Sequence, residues 1–218
     1  MDELVLYSYY RSSCAYRVRI ALHLKKLDFE YRPIHLVREG GEQRKVEYLK
    51  LNPMAQVPFL IHNSKGISQS MAILEYLDTC FPDHRLFPEV PYDAALVRQL
   101  CETINSGIQP LQNLSVLMAL DERFQAGDQG KKEWSHHWIS KGFAAFERML
   151  ASTAGQFCFG DQITAADVLL APQIYNANRF QVDLTQFPVI SQVWARCRVH
   201  EAFVAAEPER QIDAPTTD

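Results

Sequence analysis

One discontinuity constrains this chain more than any other feature: the hydrophobic pattern changes period at Phe81-Pro82. Before it, short apolar runs of strand length alternate with short helical patterns and turn signals. After it, nearly every pattern is helical. The 218 residues leave room for two small domains of those two kinds. In the first segment, residues 4–10 read as a strand. Val18, Ala21 and Leu22 follow at helical spacing, with Arg17, Arg19, His23 and Lys26 on other faces. Residues 29–34 read as a second strand and 46–51 as a short helix. Residues 58–61 form a third strand, 63–66 a hairpin-type turn into a fourth, and 70–81 a helix. The predicted order is βαβαββα over residues 1–82, a linker over 83–90, and an all-helical domain over 91–218.

In the helical part, a stripe from Leu96 through Val97, Leu100, Cys101, Ile104, Ile108 and Leu111 to Ser115 predicts one long helix kinked at Pro110. The glycines at 127 and 130 break the next stretch, and Trp134, Trp138, Phe143, Phe146 and Leu150 mark a further helix. Thr164 followed three residues later by Asp167 is a capping box. Phe187-Pro188 opens a last helix reaching about Ala206, and the polar tail to Asp218 reads as loose.

Charge and cysteine usage then exclude several functions. Lys and Arg total 22 against 26 Asp and Glu, so no basic excess supports nucleic-acid binding. The five cysteines, Cys14, Cys80, Cys101, Cys158 and Cys197, are scattered without a C-x-x-C pair. That argues against a disulfide framework and a zinc site, and suits a reducing compartment. His136-His137 cannot share a helix face, so no metal is expected. No apolar run is long enough to span a membrane, and the expectation is a cytoplasmic protein.

The chemistry-bearing segments sit where strands hand over to helices. Arg11-Ser12-Ser13-Cys14 lies between the first strand and the first helix, whose unpaired N–H groups and macrodipole favour an anion. Lowering a thiol pKa by about 2 units from about 8.5 requires about 2.7 kcal/mol. A helix end supplies up to about 2 kcal/mol, and a hydrogen bond to a charged group about 1.5–3 kcal/mol. Ser12 with the helix end is therefore sufficient, although Ser12 or Ser13 equally reads as a plain helix cap. Cys14 reads either as a reactive helix-start thiol or as a small buried one. A cis Val57-Pro58 bond would present the Val57 backbone to a peptide-like ligand, whereas proline statistics alone favour trans. Gln69-Ser70 opens another helix and could hold a carboxylate, or simply cap it. Arg11, Arg17, Arg19 and Arg179 are candidates for bidentate carboxylate binding, and most arginines are surface residues.

Together these residues resemble the zeta class of cytosolic glutathione transferases. SSCAYRVRIAL from Ser12 to Leu22 resembles the class signature, and Asn52-Pro53 with Gln56-Val57-Pro58 its LNP…QVP block. Gln69-Ser70 with Ile73-Leu74-Glu75-Tyr76-Leu77, IQPLQNLSV from Ile108 to Val116, Phe159-Gly160-Asp161 and Thr164–Asp167 follow in the family's order, over essentially the whole chain. The resemblance implies an α+β two-domain fold: a thioredoxin-like βαβαββα domain, then an all-α domain, usually in a homodimer. It implies Ser12 as the thiolate-stabilising hydroxyl, with Ser13 and Cys14 lining the same site. It implies glutathione as cofactor, held by Val57 beside Pro58, by Gln69 and Ser70, and further by Gln43, Gln109, Asn113 and Ser115. Arg11 and Arg179 match positions suited to the carboxylates of a small dicarboxylic diketo-acid. The implied reaction converts 4-maleylacetoacetate to 4-fumarylacetoacetate in tyrosine and phenylalanine degradation, by thiolate addition, bond rotation and elimination.

Three alternatives stay open. One is the same chemistry on maleylpyruvate in gentisate degradation. That branch tends to depart from S-S-C and to place arginine near the positions of Leu114 and Ser115, and neither feature is present here. Another is glutathione conjugation or dehalogenation of α-haloacids. A non-enzymatic protein-binding module, the third, predicts a lost glutathione site, yet Ser12, Pro58, Gln69 and Ser70 are all retained.

Overall fold

The structure, a computed structural model, describes residues 3–215. Its first unit follows the predicted order. It runs through β1 (Leu4–Ser8), α1 (Ser13–Leu24), β2 (Glu30–Pro33), α2 (Val46–Leu49), β3 (Phe59–His62), β4 (Lys65–Ser68) and α3 (Ser70–Cys80). The strands form one sheet in the order β2-β1-β3-β4, with β1 parallel to β2 and antiparallel to β3, and β3 antiparallel to β4. Side chains alternate between faces along each strand. Tyr7 and its cross-strand partner Phe59 lie on one face and make edge contacts there, Tyr7 also with Tyr48 of α2. Leu6, Ser8, Leu60 and His62 belong to the other face. His62 Nδ1 lies 2.7 Å from the Tyr76 hydroxyl of α3, and Ser8 Oγ accepts from Arg19 of α1 at 3.2 Å. The sheet is thus covered by α1 and α3 on one face and by the α2 segment on the other.

α1 corrects the sequence reading. The helical spacing puts Arg17 and Arg19 on faces other than the apolar one, yet both are fully buried, as is most of the helix. The reason is that α1 packs against α3 and a C-terminal helix as well as the sheet, leaving no free face. At its end, the buried Lys25 ammonium donates to Asp78 Oδ1 (2.8 Å) and to the carbonyls of Phe81 (2.7 Å) and Asp83 (3.2 Å). That fastens α1 to the end of α3.

The second unit, Phe87–Val199, holds α4 (Pro91–Asn105), α5 (Leu114–Phe124), α6 (Gly127–Thr153), α7 (Ala165–Arg179) and α8 (Pro188–Cys197). The predicted kinked helix through Pro110 is instead two helices: α4 stops at Asn105, and a 3-10 turn over Gln109–Gln112 leads into α5. Gly107 and Pro110 both disfavour continuation of the helix. Gly142 of α6 lets that turn approach closely, since a Cβ there would overlap Ile108. The break before α6 falls at Gln125, in the left-handed region, and α6 then runs through Gly130. α7 opens on the predicted capping box, with Asp167 Oδ2 accepting from the Thr164 N–H at 2.8 Å.

The last predicted helix is also two, α8 and α9 (Glu201–Ala205), and the chain from His200 clusters with the first unit rather than the second. The reading of 91–218 as one helical domain therefore differs from the observed division, which falls after Leu86 and again before His200. The tail is not loose as far as it is described. Asp213 accepts from Tyr10 N–H and the Tyr31 hydroxyl, and 216–218 lie outside the described residues. No helix among the described residues is long and apolar enough to cross a membrane.

Candidate active site

Strand directions collect the candidate residues of the first unit. With β1 antiparallel to β3 and β3 antiparallel to β4, the C-terminal ends of β1 and β4 and the N-terminal end of β3 lie together. β2, parallel to β1, ends there too. This one end of the sheet therefore carries Arg11–Cys14, Val57-Pro58, Gln69-Ser70 and the segment after β2 that contains Gln43.

Ser12 resolves its two readings by doing one and remaining free for the other. It is the N-cap of α1, and its Oγ accepts from the Ala15 N–H at 3.2 Å. A hydroxyl uses a lone pair for that bond and keeps its proton for a second partner. The N–H groups of Ser13 and Cys14, in the first helical turn, have no intrahelical acceptor. Ser13 is buried and Cys14 half-buried. Arg11 is half-buried, its guanidinium 5.9 Å from the Tyr10 ring centroid. The neighbouring Tyr9 phenol is pushed up to about 12, first by burial and then by Tyr10, so its hydroxyl stays protonated at neutral pH.

The other two segments present backbone. Val57-Pro58 is cis, and the β3 ladder begins only at Phe59, which leaves the Val57 peptide edge outside it. The preceding Gln56 carbonyl is gripped twice, by the Tyr48 hydroxyl and by Asn52 Nδ2, each at 2.7 Å. Gln69 stands at φ 72°, ψ 115°, an unfavourable conformation for a residue with a Cβ, and caps α3 without a side-chain bond. The first-turn N–H groups of α3 are thereby left open to solvent or ligand. Ser70 Oγ accepts from Arg17 Nη1 at 3.1 Å, a buried bond that ties the starts of α1 and α3 together.

Gln43 is buried, with Nε2 donating to the Leu36 carbonyl at 3.2 Å and Oε1 without a partner. Gly41 makes room for it. At φ 100° a Cβ on residue 41 would come within 2.6 Å of the Gln43 amide. Two open helix starts and a free peptide edge at one end of the sheet, with an orphaned buried acceptor in the segment that follows β2, fit a ligand that is anionic at its ends and amide-like between them. Glutathione has that chemistry.

The remaining candidates lie on the second unit. Gln109 opens the 3-10 turn before α5. Asn113 is the N-cap of α5, its Oδ1 accepting from the Ser115 N–H (3.2 Å) and hydroxyl (3.4 Å). Arg179 ends α7 in an exposed position, 5.1 Å from the Phe180 ring. Among the described residues no His/Cys/Asp/Glu group is arranged to hold a metal ion. Sequence reasoning offers Arg17 as a carboxylate binder and Asn52 only as part of the LNP block, and it misses Tyr48. The structure makes all three supports, of Ser70 and of the Gln56 carbonyl.

Two family models match the chain: the N-terminal domain of glutathione S-transferase over residues 2–79 and its C-terminal domain over 139–201. A maleylacetoacetate isomerase of Rattus norvegicus is 50% identical over 97% of this chain and 95% of its own. The chain belongs to the zeta class of the glutathione S-transferases. Among solved structures, a maleylacetoacetate isomerase of Anaeromyxobacter dehalogenans with glutathione bound in its active site is 43% identical, at a TM-score of 0.88 over 98% of this chain and 99% of that one. A bacterial maleylpyruvate isomerase of the zeta class is 38% identical, at a TM-score of 0.93 over 97% of this chain and 100% of that one. In glutathione transferase terms, the sheet end of the first unit is the candidate thiol site.

Proposed function

We propose that this zeta-class enzyme is a maleylacetoacetate isomerase that uses glutathione as a catalytic thiol. The observation that carries the reading is the pair of open helix starts at one end of the sheet, with the Ser12 proton uncommitted and the Gln43 acceptor unpaired. Bound glutathione supplies a thiolate that adds to an activated cis double bond, permits rotation and leaves again, so it is not consumed.

The protein's own residues do the rest. Ser12 donates its hydroxyl hydrogen to the sulfur, and the Ser13 and Cys14 N–H groups add the field of the helix start. Together these match the roughly 2.7 kcal/mol that a drop of two pKa units requires. Gln69 and the Ser70 end of α3 hold the γ-glutamyl carboxylate, Val57 pairs with the cysteinyl peptide, and Gln43 accepts from a ligand N–H. The resemblance adds Gln109, Asn113 and Ser115 as glutathione contacts and Arg11 and Arg179 as partners of the substrate carboxylates. The same reading places the protein in the cytoplasm, as a homodimer, in tyrosine and phenylalanine degradation. All five cysteines are free thiols, which supports a reducing compartment.

Maleylpyruvate is the second reading, favoured by the TM-score of 0.93 to a maleylpyruvate isomerase. Isomerisation of maleylacetoacetate and maleylpyruvate, each with and without glutathione, separates the two. Glutathione-dependent turnover that is faster on maleylacetoacetate is the expected result. Faster turnover of maleylpyruvate would move the protein to the second reading, and turnover without glutathione would overturn both.

A further inference from the structure

The loop that carries Ser12 is held by the far end of the chain. Asp213 accepts from the Tyr10 N–H with Oδ2 (2.9 Å), across 203 residues of sequence, and from the Tyr31 hydroxyl with Oδ1 (2.7 Å). From the other side, the fully buried Arg19 donates through Nη1 to the Tyr9 carbonyl (3.3 Å) and through Nη2 to the Tyr10 carbonyl (2.9 Å). Its Nε donates to the Ala206 carbonyl (3.1 Å), at the end of α9. One guanidinium and one carboxylate, both engaged with the C-terminal segment, thus fix the backbone polar groups of Tyr9 and Tyr10. Ser12 follows directly, because its own N–H bonds to the Tyr9 carbonyl at 3.0 Å.

Beyond α9, Pro208 is buried and Gln211 bonds back to the Ala205 and Glu207 carbonyls, while Ile212, beside Asp213, is 77% exposed and Asp213 itself bonds both the loop and β2.

We propose that Asp213 is a positioning residue for catalysis: the C-terminal segment is a strap that sets the geometry of residues 9–12 and thereby the direction of the Ser12 hydroxyl. This rests on the reading of Ser12 as the thiolate's partner. Asp213 touches no reacting atom. It acts through the Tyr10 peptide, with Tyr31 holding the second oxygen so that the carboxylate cannot swing away.

The test is Asp213→Ala in the full chain, followed by amide hydrogen exchange, steady-state kinetics and the ultraviolet thiolate absorbance of bound glutathione. Exchange at Tyr10–Ser12 should accelerate while that of the sheet is unchanged. Turnover at saturating glutathione should fall about tenfold, within the hundredfold that a misplacement of about 1 Å can cost. The KM for glutathione should stay within about twofold, because Val57, Gln69 and Ser70 are untouched, and the bound-thiolate signal at fixed pH should drop.

Asp213→Asn should recover most of the turnover. Its amide oxygen accepts from Tyr10 N–H and its amide nitrogen donates to a Tyr31 hydroxyl turned the other way. If Asp213→Ala does not fold, Asp213→Asn and Tyr31→Phe carry the test, the latter with a loss of about threefold for one hydrogen bond. Native turnover in Asp213→Ala, unchanged exchange at Tyr10, or a loss that only tracks the folded fraction would each overturn the strap. A native enzyme with no bound-thiolate signal would instead overturn the Ser12 reading and the positioning role with it. Loss of turnover with that signal intact would place the fault in the acceptor chemistry and overturn the positioning role alone.

Discussion

Two kinds of helix start in this molecule use the same residue types to opposite ends. At α7, Asp167 accepts from the Cys158 N–H, the Thr164 N–H and the Thr164 hydroxyl, at 2.8, 2.8 and 3.0 Å, and every partner belongs to the chain. At α1, Ser12 takes one N–H and leaves two others open, and at α3 no side chain caps the helix at all. Closing a helix start buries it and adds to the fold. Leaving it open keeps N–H groups and a dipole available for an anion supplied from outside. A serine or threonine before a helix therefore does not say which case it is. At α7 and α1 alike the cap hydroxyl takes only the third first-turn N–H, and what differs is burial: Thr164, Ala165 and Ala166 are buried within the chain, whereas Ser12 and Cys14 are half-exposed.

Removing the acceptor at the closed end has the largest expected effect. Asp167→Ala leaves three buried donors unpaired, at about 1–3 kcal/mol each, and should cost about 3–5 kcal/mol of stability after relaxation. Urea unfolding reads this directly, and a loss below about 1 kcal/mol would show that the box does not hold the second unit together. Ser12→Ala at the open end should reverse the balance. The cap costs only about 0.5–2 kcal/mol of stability, while glutathione-dependent turnover should fall about 10²–10³-fold, as for loss of a donor to developing charge. Near-normal turnover would mean that another hydroxyl serves the sulfur.

The open end also carries strain, which Gln69→Gly should expose. At φ 72°, ψ 115°, Gln69 costs about 1–3 kcal/mol that glycine does not, offset by about 0.5–1 kcal/mol of added chain entropy. The variant should unfold at equal or slightly higher denaturant, yet bind glutathione about 2–10-fold more weakly through one lost hydrogen bond. Isothermal titration beside urea melts would show both. A variant less stable and equally tight would remove the link between strain and binding.

The legibility of these ends follows from the range of the interactions. The capping box and the strand-to-helix segments were readable because their partners lie within a few residues, as Thr164 and Asp167 do. The burial of Arg17 and Arg19 was not. Helical spacing assigns faces, but the acceptors of Arg19 include a carbonyl 187 residues away. The hold on the tail is illegible for the same reason: Asp213 looks like a solvated terminal acid until the Tyr10 N–H and Tyr31 hydroxyl are placed against it. The break between α4 and α5 looks like a kink in sequence because an apolar stripe continues in register across Gly107 and Pro110 even where the backbone does not.

The smallest effect separates two aspartates that cap in similar ways. Asp183 accepts from the Thr185 N–H (3.0 Å) and hydroxyl (2.7 Å) at an exposed turn, and those bonds, the hydroxyl's first, lower its pKa. Asp167 accepts comparable bonds but is fully buried, and burial outweighs them and raises its pKa. The two contributions to stability therefore have opposite signs. That of Asp183 is present above the unfolded value of about 3.9 and is lost as pH falls through its lower folded value. That of Asp167 is complete below about 3.9 and declines as pH rises through its higher folded value, because the unfolded chain ionises first. Carboxyl carbon NMR titration should find Asp167 titrating above Asp183. The reverse order would mean that the three donors at the closed helix start outweigh its burial, and that Asp167 is held as firmly by charge as by packing.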